Sequence, residues 1–140
     1  TLSAAPAGAR WGEVFTAWVA LGDITPECGP MSFVRGSHRW GLNEAKSFFL
    51  DPDHEAQQEA IPRPGGAAWE ESPALLSAGG VSFHHALIYH GSRPNCSDRP
   101  RRSFAVHLRT ERSWPLDTAS HYYTAHLNEP DVCPVIHEAS

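Results

Sequence analysis

The sequence predicts an all-β sandwich or jelly roll, and three observations carry that prediction. Twelve prolines and eleven glycines in 140 residues leave little room for long helices. Five tryptophans and six phenylalanines supply the bulky side chains that sheets bury. Short runs of alternating polarity recur between turn clusters with no helical pattern between them, which argues against a βαβ arrangement. The length suits one compact unit, so residues 1–140 are read as a single domain.

Residues 1–13 are small, aperiodic and punctuated by Pro6, Gly8 and Gly12, as in a loop. In the FTAWVALGD run, Thr16, Trp18 and Ala20 share one face and Phe15, Ala17, Val19 and Leu21 the other. This is the pattern of a strand covered on both sides. ITPECGP turns the chain, and MSFVRGS supplies a second strand ending at Gly36. Residues 40–73 are polar and mixed in charge, with room for a short helix around Asp53 to Ala60, and read as a variable insertion or lid. PALLSAGG predicts a short strand and a Gly-Gly turn, and VSFHHALIYH a buried strand running to His90. After the polar GSRPNCSDRP loop, RRSFAVHLRT alternates again, with Arg101, Ser103, Ala105 and His107 on one face. The tail from Ser113 has aromatics and prolines without periodicity, and is expected to pack irregularly over the sheet.

Charge and composition narrow the partners. A net charge of −5 argues against a nucleic-acid binder that works by bulk charge. No apolar run reaches the roughly 18 residues of a membrane span. Cys28, Cys96 and Cys133 are odd in number and lack CxxC spacing, as expected of reduced thiols in a cytoplasmic protein. Oligomeric state is not legible.

Nine histidines make imidazole the enriched titratable group, and neutral imidazole is the commonest protein ligand for divalent transition metals. His90 closes a buried-looking run and precedes Gly91 and Ser92, which places its ring at a sheet mouth. Eleven positions later Arg101 re-enters a strand, where its guanidinium can clamp a carboxylate bidentately. A metal-ligating histidine beside such an arginine is the minimum needed to hold a keto acid on iron. A structural zinc site from His84, His85 and His90 fits less well, because adjacent strand residues point to opposite faces.

The blocks TAWVALGDITPECGPMSFVRGSHRWG and VSFHHALIYHGSRPNCSDRPRRSFAVHLRT, with HLNEPDVCPVI in the tail, resemble the phytanoyl-CoA dioxygenase family of non-haem iron, 2-oxoglutarate-dependent oxygenases. The resemblance runs from about Phe15 to Arg109 and leaves the middle insertion unmatched. It implies a cupin-like double-stranded β-helix, mainly β, with Fe(II) as cofactor, 2-oxoglutarate as cosubstrate, O2, and a small organic substrate. His90 then matches the distal metal ligand. Arg101 matches the arginine that pairs with the far carboxylate of 2-oxoglutarate, with Arg102 as the one-residue alternative. Ser92 and Trp18 match positions that help hold the cosubstrate. Gly36, Ser37 and His38 match a structural turn, His85 a neighbour of the metal ligand, and His84 the opposite face.

One departure is large. The family's His-x-Asp pair is missing, since no histidine is followed two positions later by Asp or Glu. The chain also begins at Thr1 rather than Met, and is read as the C-terminal part of a longer oxygenase domain. A second departure is Gly80, which stands where relatives often carry Asp. The implied activity is hydroxylation with release of succinate and CO2, with substrate choice resting on residues 40–73 and the aromatics around His121 to Tyr123. A halogenase of the same fold and a non-catalytic jelly-roll binding module are the alternatives.

Overall fold

The computed structural model describes residues 14–41, 54–110, 113 and 126–138. Val14–Ala20 form strand β1, where β-branched and aromatic residues suit a pleated surface. Thr25, Pro26 and Gly29 then turn the chain through a single 3-10 turn at Pro26–Cys28. Gly29 closes the turn at φ 64, and a Cβ there would collide with the Arg93 and Pro94 carbonyls, so only glycine fits. Met31–Val34 form β2, and a second turn at Ser37–Arg39 follows. His54–Ala60 form helix α1, inside the stretch where a short helix is expected. Glu71–Pro73 form β3, Val81–His85 β4, His90–Ser92 β5 and Ser103–Arg109 β6.

Among the described residues these strands make two three-stranded antiparallel sheets, ordered β4-β1-β6 and β3-β2-β5. Chain order crosses between them as in a jelly roll: β1 belongs to the first sheet, β2 and β3 to the second, β4 returns to the first, β5 to the second, and β6 to the first. The fold is mainly β, as expected. Register in the first sheet aligns Thr16 with His84 and His107, and Trp18 with Ser82 and Ala105. Ladder partners share a face, so these side chains form rows on the side that carries Trp18. Buried Trp18, Ala20, Ile24 and Cys28, with Met31 and Leu76 against them, form the core where the sheets meet.

Several expected elements form differently. The run from Val81 to His90 is two strands, because His85 Nδ1 accepts the Leu87 N–H at 3.0 Å and Ile88 bonds back to the His85 carbonyl at 3.1 Å. That local side-chain bond competes with the ladder and lets the chain cross to the other sheet. The strand expected in PALLSAGG shifts earlier, to Glu71–Pro73, and Leu76 keeps only an isolated bridge to Ile24. Pro73 has no N–H to give and sits on the edge strand, where that loss is tolerated. The end of the 40–73 stretch is therefore part of a sheet rather than of an insertion. Trp40 and Trp69, near its two ends, pack on each other and on Tyr89 with ring centroids 5.9 to 6.3 Å apart.

The outer face of β4-β1-β6 is not covered as expected: Phe83 and Phe104 are 68% and 60% exposed. In the tail, Val135 and Ile136 are 74% exposed rather than packed on the sheet, while Arg109 holds the Leu127 carbonyl at 3.3 Å. The expectations for residues 1–13 and for His121 to Tyr123 fall outside the described residues. No helix among the described residues is long and apolar enough to cross a membrane. All three cysteines are unpaired.

Candidate metal and cosubstrate site

Strand β5 carries His90 and Ser92 two positions apart, and β2 aligns Phe33 with His90 and Met31 with Ser92. The alternation of a strand therefore puts the imidazole and the hydroxyl on one side, toward the other sheet. Arg101, two residues before β6, reaches this edge. Its Nη1 donates to Ser92 Oγ at 2.8 Å and to the Gly29 carbonyl. A guanidinium has five N–H donors in a planar fork, so a carboxylate can be gripped while Nη1 is steadied by Ser92 and Gly29. Arg101 meets Ser92, whereas neighbouring Arg102 is exposed. Gly29 belongs to this cluster through a backbone carbonyl, which no side-chain reading of the sequence reveals.

His90 Nδ1 lies 2.9 Å from the Ile88 carbonyl. A carbonyl can only accept, so Nδ1 is the donor, and in the neutral ring Nε2 is the nitrogen left for a metal. This is the tautomer and second hydrogen bond typical of a metal-ligating imidazole. Trp18 stands one step away, in the cluster that includes Met31, the ladder partner of Ser92.

The neighbouring histidines reverse the expected assignment. His84 is aligned with Thr16, on the face of Trp18, and its ring centroid lies 5.0 Å from that of His90 and 4.8 Å from that of Phe33. His85 is aligned with Phe15 on the other face, and its ring lies 5.4 Å from that of His38. The β1–β4 register decides this, and the sequence does not show which member of a His-His pair points inward. Burial, and then the nearby His90 and His107 rings, push the His84 pKa down to about 4, so the ring is neutral at physiological pH. Burial and His38 lower that of His85. Across the sheet, Thr16 Oγ1 and His107 Nδ1 are 2.9 Å apart, so His84, Thr16 and His107 form a polar row facing the second sheet. In the GSH turn, Ser37 is fully buried and its Oγ accepts the Tyr89 N–H at 2.9 Å, which steadies the entry to β5.

The residues present fit a dicarboxylate cosubstrate, with a charged clamp, a hydroxyl donor and an imidazole of the right tautomer on one edge. For a metal they supply a single matched ligand. No group of three or more His, Cys, Asp or Glu among the described residues is placed to hold an ion. A cavity of about 350 Å³ lined by Pro26, Ser32, Pro73, Arg93 and Cys96 shares Gly29 with the clamp but not His90 or Arg101.

A family model, phytanoyl-CoA dioxygenase (PhyH), matches residues 3–103. The phytanoyl-CoA dioxygenase domain-containing protein 1 of Mus musculus is 28% identical over 100 residues, covering 69% of this chain and 33% of the mouse protein. The epimerase SnoN, solved in complex with Fe3+, alpha ketoglutarate and nogalamycin RO, is 33% identical at a TM-score of 0.53, covering 70% of this chain and 36% of that one. The apo form of the non-heme monooxygenase ThoJ is 31% identical at a TM-score of 0.50, covering 70% and 33%. The chain thus spans about a third of the mouse relative's length.

Proposed function

Because the chain belongs to the phytanoyl-CoA dioxygenase family, we propose that it supplies the cosubstrate clamp and one metal ligand of an Fe(II)/2-oxoglutarate-dependent dioxygenase that hydroxylates a small organic molecule. The observation that carries this reading is the meeting of His90, Ser92 and Arg101 on one edge between the sheets. His90 would present Nε2 to the iron, its ring held by the Ile88 carbonyl. Arg101 would bind the far carboxylate of 2-oxoglutarate, with Ser92 as a second donor and the Gly29 carbonyl steadying the guanidinium. Trp18 would wall the cosubstrate on the core side. When bound, the iron and the keto acid supply an O2-dependent oxidation that releases succinate and CO2. The protein's own share is to orient these groups and exclude water.

Titration of the full-length protein with 2-oxoglutarate, with and without Fe(II), tests the reading. Arg101→Ala should weaken 2-oxoglutarate binding and leave iron binding intact, and His90→Ala should lose iron. Unchanged 2-oxoglutarate affinity in Arg101→Ala would move the clamp to Arg102. The single matched ligand among the described residues favours one other reading, a non-catalytic binding module, which would take 2-oxoglutarate with no dependence on metal. The unpaired state of all three cysteines supports a reducing compartment such as the cytoplasm.

A further inference from the structure

We propose that His85 is a positioning residue for His90: its imidazole holds the turn that aims the His90 ring, and does so only while that imidazole is neutral. The inference rests on the reading above of His90 as a metal ligand and adds no ligand to the site. Strands β4 and β5 belong to different sheets, and the chain crosses between them at Ala86, Leu87, Ile88 and Tyr89. Every peptide N–H of that crossing has its own acceptor. Ala86 donates to the Val14 carbonyl at 3.0 Å, Leu87 to His85 Nδ1 at 3.0 Å, Ile88 to the His85 carbonyl at 3.1 Å and Tyr89 to Ser37 Oγ at 2.9 Å. His85 therefore supplies two of these acceptors, and its Nδ1 is the one that a proton can remove.

The path from this turn to the site is short. Ile88 is held through its N–H by the His85 carbonyl, and it presents its own carbonyl to His90 Nδ1 at 2.9 Å. That contact orients the His90 ring, so a rotation of the Ile88 peptide redirects Nε2. Because His85 Nδ1 accepts the Leu87 N–H, the proton of its neutral ring sits on Nε2. Protonation puts a hydrogen on Nδ1 as well, and the bond becomes one donor facing another. Among the described residues the groups facing the ring are Phe15, opposite it on β1, and His38, whose ring centroid lies 5.4 Å away; of these His38 alone titrates. Burial, and then His38, lower the His85 pKa from 6.5. The acceptor is thus present at neutral pH and is lost in acid, below the ordinary histidine value.

The test measures Co(II) affinity and visible bands, which report ligand geometry, in the full-length protein between pH 7.5 and 5.5. The unsubstituted protein is compared with His85→Asn, His85→Leu and His90→Ala. Asparagine accepts a backbone N–H two residues on, as His85 does, but does not titrate, whereas leucine offers no acceptor. At pH 7.5 His85→Asn should bind Co(II) within about three-fold of the unsubstituted protein with the same bands, and His85→Leu about ten-fold more weakly with altered bands. By pH 5.5 the unsubstituted protein should have lost at least about three-fold more affinity than His85→Asn, a difference that packing by residue 85 alone does not produce. If His85→Leu does not fold, that acid comparison decides by itself. The positioning role is overturned if His85→Leu binds as tightly as the unsubstituted protein, if His85→Asn is as weak as His85→Leu, or if the acid losses are equal. In each of those cases the reading of His90 stands when His90→Ala loses the ion. If His90→Ala binds cobalt normally, that reading falls, and this inference falls with it.

Discussion

On the proposed reading Arg101 is the side chain that governs cosubstrate binding, because its fork is held by Ser92 and Gly29 before any ligand arrives. A charge-assisted hydrogen bond contributes about 1.5–3 kcal/mol. Arg101→Ala should therefore raise the 2-oxoglutarate dissociation constant roughly 10- to 100-fold, measured by calorimetry. Arg101→Lys should recover part of that loss only, since an ammonium cannot grip a carboxylate with two parallel bonds. His84 carries a pH signature in the metal-free protein. Its folded pKa of about 4 lies below the usual histidine value of 6.5, so the unfolded chain takes up the proton first. Its contribution to stability is intact above pH 6.5 and is lost as pH falls toward 4, a loss of roughly 1–3 kcal/mol. Urea unfolding between pH 7 and 4 should show that slope, and His84→Phe should flatten it.

At the level of elements, the short strand β5 depends on its neighbours for its position. The fully buried Ser37 hydroxyl takes the Tyr89 N–H, and Val34 N–H bonds the Tyr89 carbonyl at 2.9 Å, so the residue before His90 is fixed through both backbone groups. Ser37→Ala leaves that N–H without its acceptor and should cost about 1–3 kcal/mol in urea unfolding, with a weakened metal affinity as the local consequence. The turn before β4 makes a similar demand. Gly79 sits at φ 83 and donates to the Ala20 carbonyl at 2.8 Å, so Gly79→Ala should destabilise by roughly 1 kcal/mol or more. The GSH turn and the strands around Trp18 and Ala105 were legible because alternation and turn residues are local signals. The break after His85 was not, because an imidazole accepting a backbone N–H two residues on leaves no trace in the polarity pattern.

Across the whole molecule, the sheet β4-β1-β6 shows a broad apolar outer face on which Phe15, Val81, Phe83, Phe104 and Val106 are all substantially exposed. Patches of that kind bind hydrophobic dyes and promote association. For the 140-residue chain by itself, Phe83→Ser with Phe104→Ser should lower dye fluorescence and raise solubility, with a small change in stability because little burial is lost. The sequence was enough for the all-β class, for the parity of Thr16, Trp18 and His107, and, through the two blocks between Phe15 and Arg109, for the family. These are matters of period, turn chemistry and spacing along one chain. The tertiary structure alone decided that β4 and β5 are separate strands, that Arg101 rather than Arg102 meets Ser92, that Gly29 steadies it, and that His84 rather than His85 faces His90. Those outcomes follow from ladder register and from backbone groups brought together across long separations, and a one-residue change of register, invisible in composition, reverses every one of the side-chain directions.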